Sequence, residues 1–81
     1  MPMRFFYTAR RHQDRHGQYH LHFEVRDARG PGVGETRYSV HPDLEEAERA
    51  LKLAVDGCRE KLKKRWGQDC TLDPAPADGD D

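Results

Sequence analysis

Residues 18–26, QYHLHFEVR, alternate between apolar and polar side chains. One set of positions is aromatic or aliphatic and consists of Tyr19, Leu21, Phe23 and Val25, whereas amide, imidazole and charged groups fill the positions between them. A period of two is typical of a β-strand that buries one face and exposes the other. The stretch therefore predicts a half-buried strand with one apolar face.

Two shorter alternating segments, residues 3–10 and residues 36–40, lie on either side of this strand in the sequence. The connections between them, residues 11–17 and 27–34, are rich in glycine and charged residues that favour turns. Consecutive strands joined by short connections of this kind pair antiparallel. We therefore expect a three-stranded antiparallel meander with residues 18–26 in its centre.

The register of both hairpins can be predicted from the side chains that would face each other. If Phe5 lies opposite Phe23 and Phe23 opposite Tyr38, aromatic pairs face the core and opposite charges pair on the outer face. The outer pairs predicted in this way are Arg4 with Glu24, Glu24 with Arg37, and Arg26 with Glu35. This register also directs Thr36, Tyr38 and Val40 toward the core.

An amphipathic helix is predicted after the third strand. Asp43 is a favourable N-cap, and Glu46, three residues later, completes a capping-box pattern. Apolar side chains then recur on one side of the helix: Leu44, Ala47, Leu51, Ala54, Val55, Cys58, Leu62 and Trp66. Gly67 is a natural end point. We expect this helix to cover one face of the sheet and to overhang it in its last turns, with Cys58 as a small buried thiol.

Length and charge limit the architecture further. The chain has 81 residues, 36% of them charged, and a formal net charge of −1 at pH 7, which allows one small domain. Residues 67–81 contain five aspartates and no basic residue, and such a segment can bury little. We predict an α+β fold, with a β-β-β-α domain at residues 1–67 and a flexible, disordered acidic tail at residues 68–81. No segment suits a membrane span or a signal peptide, which predicts a cytoplasmic protein with no membrane partner.

The face of the sheet away from the helix is the candidate functional surface. Arginine, histidine and an exposed phenylalanine suit contacts with phosphates and with base edges. The candidate binding residues are Arg4, Phe6, Arg10, His20, His22, Arg26 and Arg37. Much of this charge can instead hold the strands together, so the pattern leaves a binding face and a merely solvated face both open.

The sequence contains no complete set of residues for catalysis or for a structural metal site. His12, His16, His20 and His22 lie near one another along the first hairpin and could bind zinc or nickel, but no carboxylate or thiolate is placed to complete a structural site. No Ser/His/Asp or Cys/His set has a suitable spacing. We therefore expect no enzymatic activity, no metal and no cofactor.

The order of three antiparallel strands and one long helix, with outward arginines and the helix start DLEEAERA at residues 43–50, resembles DNA-binding domains of the integrase arm-binding and plant ethylene-response type. The resemblance covers residues 3–66 and implies that the sheet lies in the major groove, with strand arginines and aromatic residues on the DNA. The Gly and Trp landmarks usual in those strands are absent here. The same order is similar to part of the HicB-like antitoxins, without their Pro-Asp-Leu-Pro-Gly signature.

These observations predict a small non-catalytic binding protein of phage or mobile-element type that engages nucleic acid through the open side of its sheet. Small arginine-rich proteins of this size are also typical of anti-CRISPR inhibitors. The alternative is therefore a protein-binding inhibitor of a host or defence complex, or an antitoxin-like partner, that uses the same face or the helix. Salt dependence distinguishes the two, because binding to phosphates weakens steeply as salt rises.

A candidate homodimer patch lies on the opposite side of the predicted helix. At about 100° per residue, Leu53 points about 180° away from Leu44. Its neighbours at helical spacing are Ala50 and Gly57, which would let a second helix approach closely. Two-fold contacts dominate homo-oligomers, so the patch of Ala50, Leu53 and Gly57 predicts a symmetric dimer.

Overall fold

The structure is a computed structural model that describes residues 2–29 and 33–76. Its elements, in chain order, are the strands β1 (Arg4–Gln13), β2 (Tyr19–Asp27) and β3 (Val33–His41), the helix α1 (Leu44–Trp66) and the strand β4 (Thr71–Pro74). The strands form one sheet in the order β3-β2-β1-β4. The predicted antiparallel meander and its C-terminal helix are confirmed, with β2 between β1 and β3.

A fourth strand lies where a disordered tail was expected. β4 pairs parallel with the beginning of β1, and the backbone nitrogens of Thr71 and Ala75 donate to the carbonyl oxygens of Met3 at 3.1 Å and Tyr7 at 2.8 Å. Leu72 on β4 is 1% exposed and belongs to the core. The prediction of a flexible tail is therefore wrong for β4, which completes a mixed sheet of four strands. Residues 77–81 lie outside the described part of the chain.

The register of the first hairpin differs from the predicted one. Ala9, not Phe5, lies opposite Phe23. The cause is a tight turn: the backbone nitrogen of Gly17 donates to the carbonyl oxygen of Asp14 at 3.1 Å, and Gly17 has the positive φ of 85° that glycine accommodates. β1 therefore continues to Gln13. Because the register moves by an even number of residues, each side chain keeps its predicted face.

The second hairpin is shifted by one residue, which reverses the faces of β3. Phe23 lies opposite Arg37, and His22 lies opposite Tyr38. Tyr38 and Val40 are consequently on the side away from the helix, with 55% and 42% of their surface exposed, and their predicted core positions are wrong. The helix side of β3 carries Glu35 and Arg37, which form an ion pair with each other. Lys61 on α1 approaches Glu35 at 3.7 Å and holds this side of β3 against the helix.

The helix begins and ends where the sequence predicts. The Oδ1 atom of Asp43 accepts a hydrogen bond from the backbone nitrogen of Glu46 at 2.9 Å, and the backbone nitrogen of Gly67 donates to the carbonyl oxygen of Lys63 at 3.0 Å. The core between the helix and the sheet consists of Phe5, Phe23, Val25, Ala54, Val55, Cys58 and Leu72. Trp66 overhangs its end, 42% exposed, with its ring 6.4 Å from that of Phe5.

Candidate functional site

The side of the sheet that the helix leaves uncovered is called the open face here. Strand alternation and register place on it Arg4, Phe6, Thr8, Arg10 and His12 of β1, His20, His22, Glu24 and Arg26 of β2, and Thr36, Tyr38 and Val40 of β3. Six of the seven predicted binding residues lie on this face. The exception is Arg37, which lies on the helix side beside Glu35, so its assignment to the binding face is wrong.

Four rings form a continuous strip across the open face. The imidazoles of His12 and His20 stack with their centroids 4.6 Å apart and their planes within 8°. His22 continues the strip, with ring centroids 6.0 Å from His12 and 4.7 Å from Tyr38. We call His12, His20, His22 and Tyr38 the ring strip; it runs from β1 over β2 to β3.

Two members of the ring strip were missed as binding residues from the sequence. The turn-forming composition of residues 11–17 predicts a loop at His12, but β1 continues to Gln13 and its alternation places His12 on the open face. Tyr38 was assigned to the core because the second hairpin was placed one residue out of register. The alternation of β1 therefore indicates the position of His12, whereas no feature of the sequence indicates on which face of the sheet Tyr38 lies.

Hydrogen bonds fix the central imidazole of the strip. The Nε2 atom of His20 donates to the Oδ2 atom of Asp14 at 2.8 Å, and its Nδ1 atom shares a hydrogen bond with the hydroxyl of Tyr38. The Oδ1 atom of Asp14 accepts from the backbone nitrogens of His16 at 2.8 Å and Gln18 at 3.0 Å. These bonds, led by the one from His20, hold the pKa of Asp14 below its ordinary value. The hairpin turn thus orients the strip.

A second cluster occupies the other end of the open face. The guanidinium carbon of Arg4 lies 5.5 Å from the centre of the Phe6 ring, a cation–π contact. The Nη2 atom of Arg26 lies 3.1 Å from the Oε1 atom of Glu24, which replaces the predicted pairs of Glu24 with Arg4 and Arg37 and of Arg26 with Glu35. Local ion pairs two residues apart, rather than cross-strand pairs, organise the charges of β2 and β3.

The charges of the open face nearly balance at neutral pH. Arg4, Arg10 and Arg26 are opposed by Glu24 and by Asp73, which the register places beside Phe6. What distinguishes the face is therefore its row of rings with arginines at their side, and not a large positive charge.

The predicted dimer patch lies beside a groove between α1 and β3. The groove has a volume of about 480 Å³, and Ala50, Leu53, Ser39 and His41 are among its lining residues. Leu53 is 68% exposed, but it lines this groove beside β3 and therefore does not point away from the sheet, contrary to the prediction from its helical position. Gly57 is also exposed, and a β-carbon built there meets nothing within 4 Å.

The described residues contain no group of three or more His, Cys, Asp or Glu side chains that could hold a metal ion. Cys58 and Cys70 are both free thiols in buried positions. Burial, and secondarily the nearby carboxylate of Glu35, raises the pKa of the Cys58 thiol. A thiol of this kind stays protonated at neutral pH and is a poor nucleophile, which agrees with the predicted role of Cys58 as a core side chain.

Comparisons with known proteins give no match from which a function could be inferred. No protein-family model, no curated protein and no solved structure matches the chain. The resemblance to DNA-binding domains with a three-stranded sheet therefore stays a prediction. Within residues 2–29 and 33–76, no helix has the length and apolar character needed to cross a membrane.

Proposed function

We propose that this protein is a non-catalytic module that binds nucleic acid through the open face of its sheet. The observation that carries the proposal is the ring strip, four contiguous rings on an uncovered face with Arg10 at its border. Tyr38 is more than half exposed, so its ring is accessible to a ligand although its hydroxyl is bonded to His20. Bases stack on rings presented in this way, and arginines reach the phosphates between them.

Single strands fit this face better than duplexes. A duplex offers mainly its phosphates to a flat surface, so strong duplex binding depends on a large positive charge. The open face has almost balanced charges at neutral pH, but it offers several rings in a row. Unstacked bases of single-stranded DNA or RNA can lie on such rings at about 1–3 kcal/mol per base. We therefore propose single-stranded nucleic acid as the ligand of the open face.

A fluorescence-anisotropy titration tests this assignment. Labelled single strands of mixed sequence are compared with the matching duplex between about 50 and 200 mM salt. Tighter binding to the single strand, with a shallow salt slope, is expected because stacking supplies much of the affinity. Equal binding to both with a steep slope would mean that phosphates alone are recognised, and no binding at low salt would end the proposal.

The chain supplies a matched pair of variants for this titration. Arg10→Ala removes a guanidinium from the open face, whereas Arg37→Ala removes one from the helix side of the same sheet. Only the first substitution should weaken binding, and it should reduce the salt slope by about one. Equal losses from both variants would show that the open face is not the binding surface.

A protein partner is the second candidate function, because the helix also exposes apolar side chains. Leu53 is 68% exposed on α1. A protein-binding inhibitor or antitoxin-like partner would bury it at the centre of an interface. Under this alternative, Leu53→Glu abolishes the interaction with the partner and Arg10→Ala has little effect, the reverse of the pattern expected for nucleic acid.

A further inference from the structure

The outer edge of β3 has the features of a strand that can pair with a further strand. Among the described strands, β3 pairs only with β2, and its nine residues make it a long edge. Edge strands are usually protected by charged side chains, proline, bulges or short length. β3 has no lysine or proline, and the irregularity in its ladder is confined to the end near Val33. Its two charged side chains, Glu35 and Arg37, are paired with each other on the helix side, so neither is left as an uncompensated charge at the edge. Along the outer side of its regular part, residues 35–41, a row of backbone groups has no strand partner among the described residues.

We propose that this edge pairs with β3 of a second copy of the chain, antiparallel and around a two-fold axis at Tyr38. The two sheets then join into one sheet of eight strands. Pairing of identical edges is isologous, so it closes with two copies. A second copy is preferred to a foreign strand because the edge is complementary to itself in this register.

Side-chain complementarity selects the position of the axis. An axis at Tyr38 places Glu35 opposite His41 of the second copy, Arg37 opposite Ser39, and Thr36 opposite Val40, all without like charges in contact. An axis at Arg37 would put two guanidiniums face to face, which is unfavourable. An axis at Thr36 would leave Val40, which is 42% exposed, beyond the paired region.

The helices support the same arrangement from the other side of the sheet. Ala50 and Leu53 line the groove that opens between α1 and β3, together with Tyr38 and Ser39. When two β3 strands pair, the grooves of both copies flank the two-fold axis. Leu53 of each copy then lies over the joined edges and loses much of its exposure, now 68%. The exposed leucine and the unpaired edge thereby have one common explanation.

The dimer would also enlarge the surface assigned above, a consequence that rests on the proposed function. The ring strip ends at Tyr38, so pairing around this residue joins the strips of both copies. From β1 of one copy to β1 of the other, six strands at a spacing of about 4.8 Å give a strip about 24 Å wide. Such a surface holds several nucleotides of a single strand.

Charge exchange at Thr36 and Val40 tests the proposal without nucleic acid. The double variant Thr36→Lys with Val40→Lys places lysine opposite lysine at both ends of the pairing, whereas Thr36→Lys with Val40→Glu places lysine opposite glutamate. Both substitutions lie on the open face opposite Glu24 and His20 of β2, so the monomer accommodates them. Light scattering at micromolar concentration and circular dichroism give the mass and the fold of each protein.

The proposal expects twice the 9.4 kDa chain mass for the parent, a monomer for the Lys/Lys variant and a dimer again for the Lys/Glu variant, all with the same circular dichroism. A monomeric parent overturns it, and so does a Lys/Lys variant that stays dimeric. If both variants are folded monomers, the axis at Tyr38 is wrong. None of these outcomes depends on nucleic-acid binding, so this experiment and the anisotropy titration fail independently.

Discussion

The Nε2 atom of His20 lies 2.8 Å from the Oδ2 atom of Asp14, so the turn of the first hairpin is bonded to the middle of the open face. Asp14 holds the turn through its other oxygen, which accepts from two backbone nitrogens. One carboxylate therefore shapes the turn and orients an imidazole of the ring strip. The charged carboxylate of Asp14 therefore stabilises the turn and the position of the His20 ring together.

Asp14 should make stability depend on pH. Its pKa is lowered from the ordinary value of 3.8, chiefly by the hydrogen bond with His20. A lowered pKa in the folded state stabilises the fold above the unfolded pKa, and this contribution is lost as the pH falls through the folded pKa. Urea unfolding between about pH 5 and pH 2 should therefore show a steeper loss of stability for the parent than for Asp14→Asn.

The contrast between two variants separates the roles of Asp14. Asp14→Asn keeps an oxygen for the backbone nitrogens of His16 and Gln18 but removes the charge, whereas Asp14→Ala removes both. Asp14→Ala should be the less stable variant at neutral pH. If both variants unfold at the same urea concentration and keep the pH dependence of the parent, another group carries it.

Leu72 on β4 should be necessary for the stability of the fold. It is 1% exposed, and Leu72→Ala leaves a cavity that costs about 2–5 kcal/mol. Thr71→Ala, at the exposed neighbouring position, is the control and should stay within about 0.5 kcal/mol. The free energies of unfolding in urea measure both, and equal values for the two variants would mean that Leu72 is not packed in the core.

Two truncations test the same strand. Ending the chain after Cys70 removes β4 and should lower the melting temperature strongly, whereas ending it after Pro76 keeps every contact described for β4. The aspartate-rich sequence predicts a flexible tail here, and the loss of a flexible tail would leave the melting temperature unchanged. An unchanged melting temperature for the chain that ends at Cys70 would support a flexible tail and contradict the packing of Leu72.

The fold was predictable where the sequence carries a long periodic signal. The alternation of residues 18–26 predicted the strand β2, and Asp43 as an N-cap predicted the start of α1. The structure confirms both. β4 has only four residues and a single buried apolar side chain, Leu72, so its alternation is too short to detect. It forms because the free edge of β1 supplies the backbone partners, and that edge exists only in the folded sheet.

The candidate site was predictable on β1 and β2 and not on β3. Glu35 and Arg37 share one face of β3, whereas Thr36 and Tyr38 share the other. Glu35 and Arg37 can find opposite charges whichever way their face points, so charge pairing does not decide between the two orientations. Aromatic pairing favoured Tyr38 in the core, whereas the structure gives this place to the ion pair of Glu35 and Arg37 and to its contact with Lys61. The pairing register of β2 and β3 differs from the predicted one by a single residue, and the composition of β3 does not indicate this shift. The shift determines which side chains of β3 lie on the open face.

Binding to single-stranded nucleic acid should depend on the ring of His22, whose centroid lies 4.7 Å from that of Tyr38. His22→Ala removes this ring and should weaken binding by about 1–3 kcal/mol, the range for one base stacked on an aromatic side chain. His22→Phe keeps a ring and is the control, so its affinity should stay close to that of the parent. Anisotropy titrations measure both variants. Equal affinities of the parent and His22→Ala would exclude a part for His22.

Gly57→Ala should stabilise the protein and, at the same time, distinguish two ways of forming a dimer. Gly57 lies inside α1, where glycine costs about 1 kcal/mol relative to alanine, and the added β-carbon meets nothing within 4 Å. The urea midpoint should therefore rise with an unchanged slope. If helices pack closely through Ala50, Leu53 and Gly57, the methyl group separates them and the dimer weakens. If the copies pair through β3, Gly57→Ala leaves the dimer intact. Light scattering on this one variant thus distinguishes the helix patch from the strand edge, and an unchanged urea midpoint would contradict the stabilisation expected at an open position inside a helix.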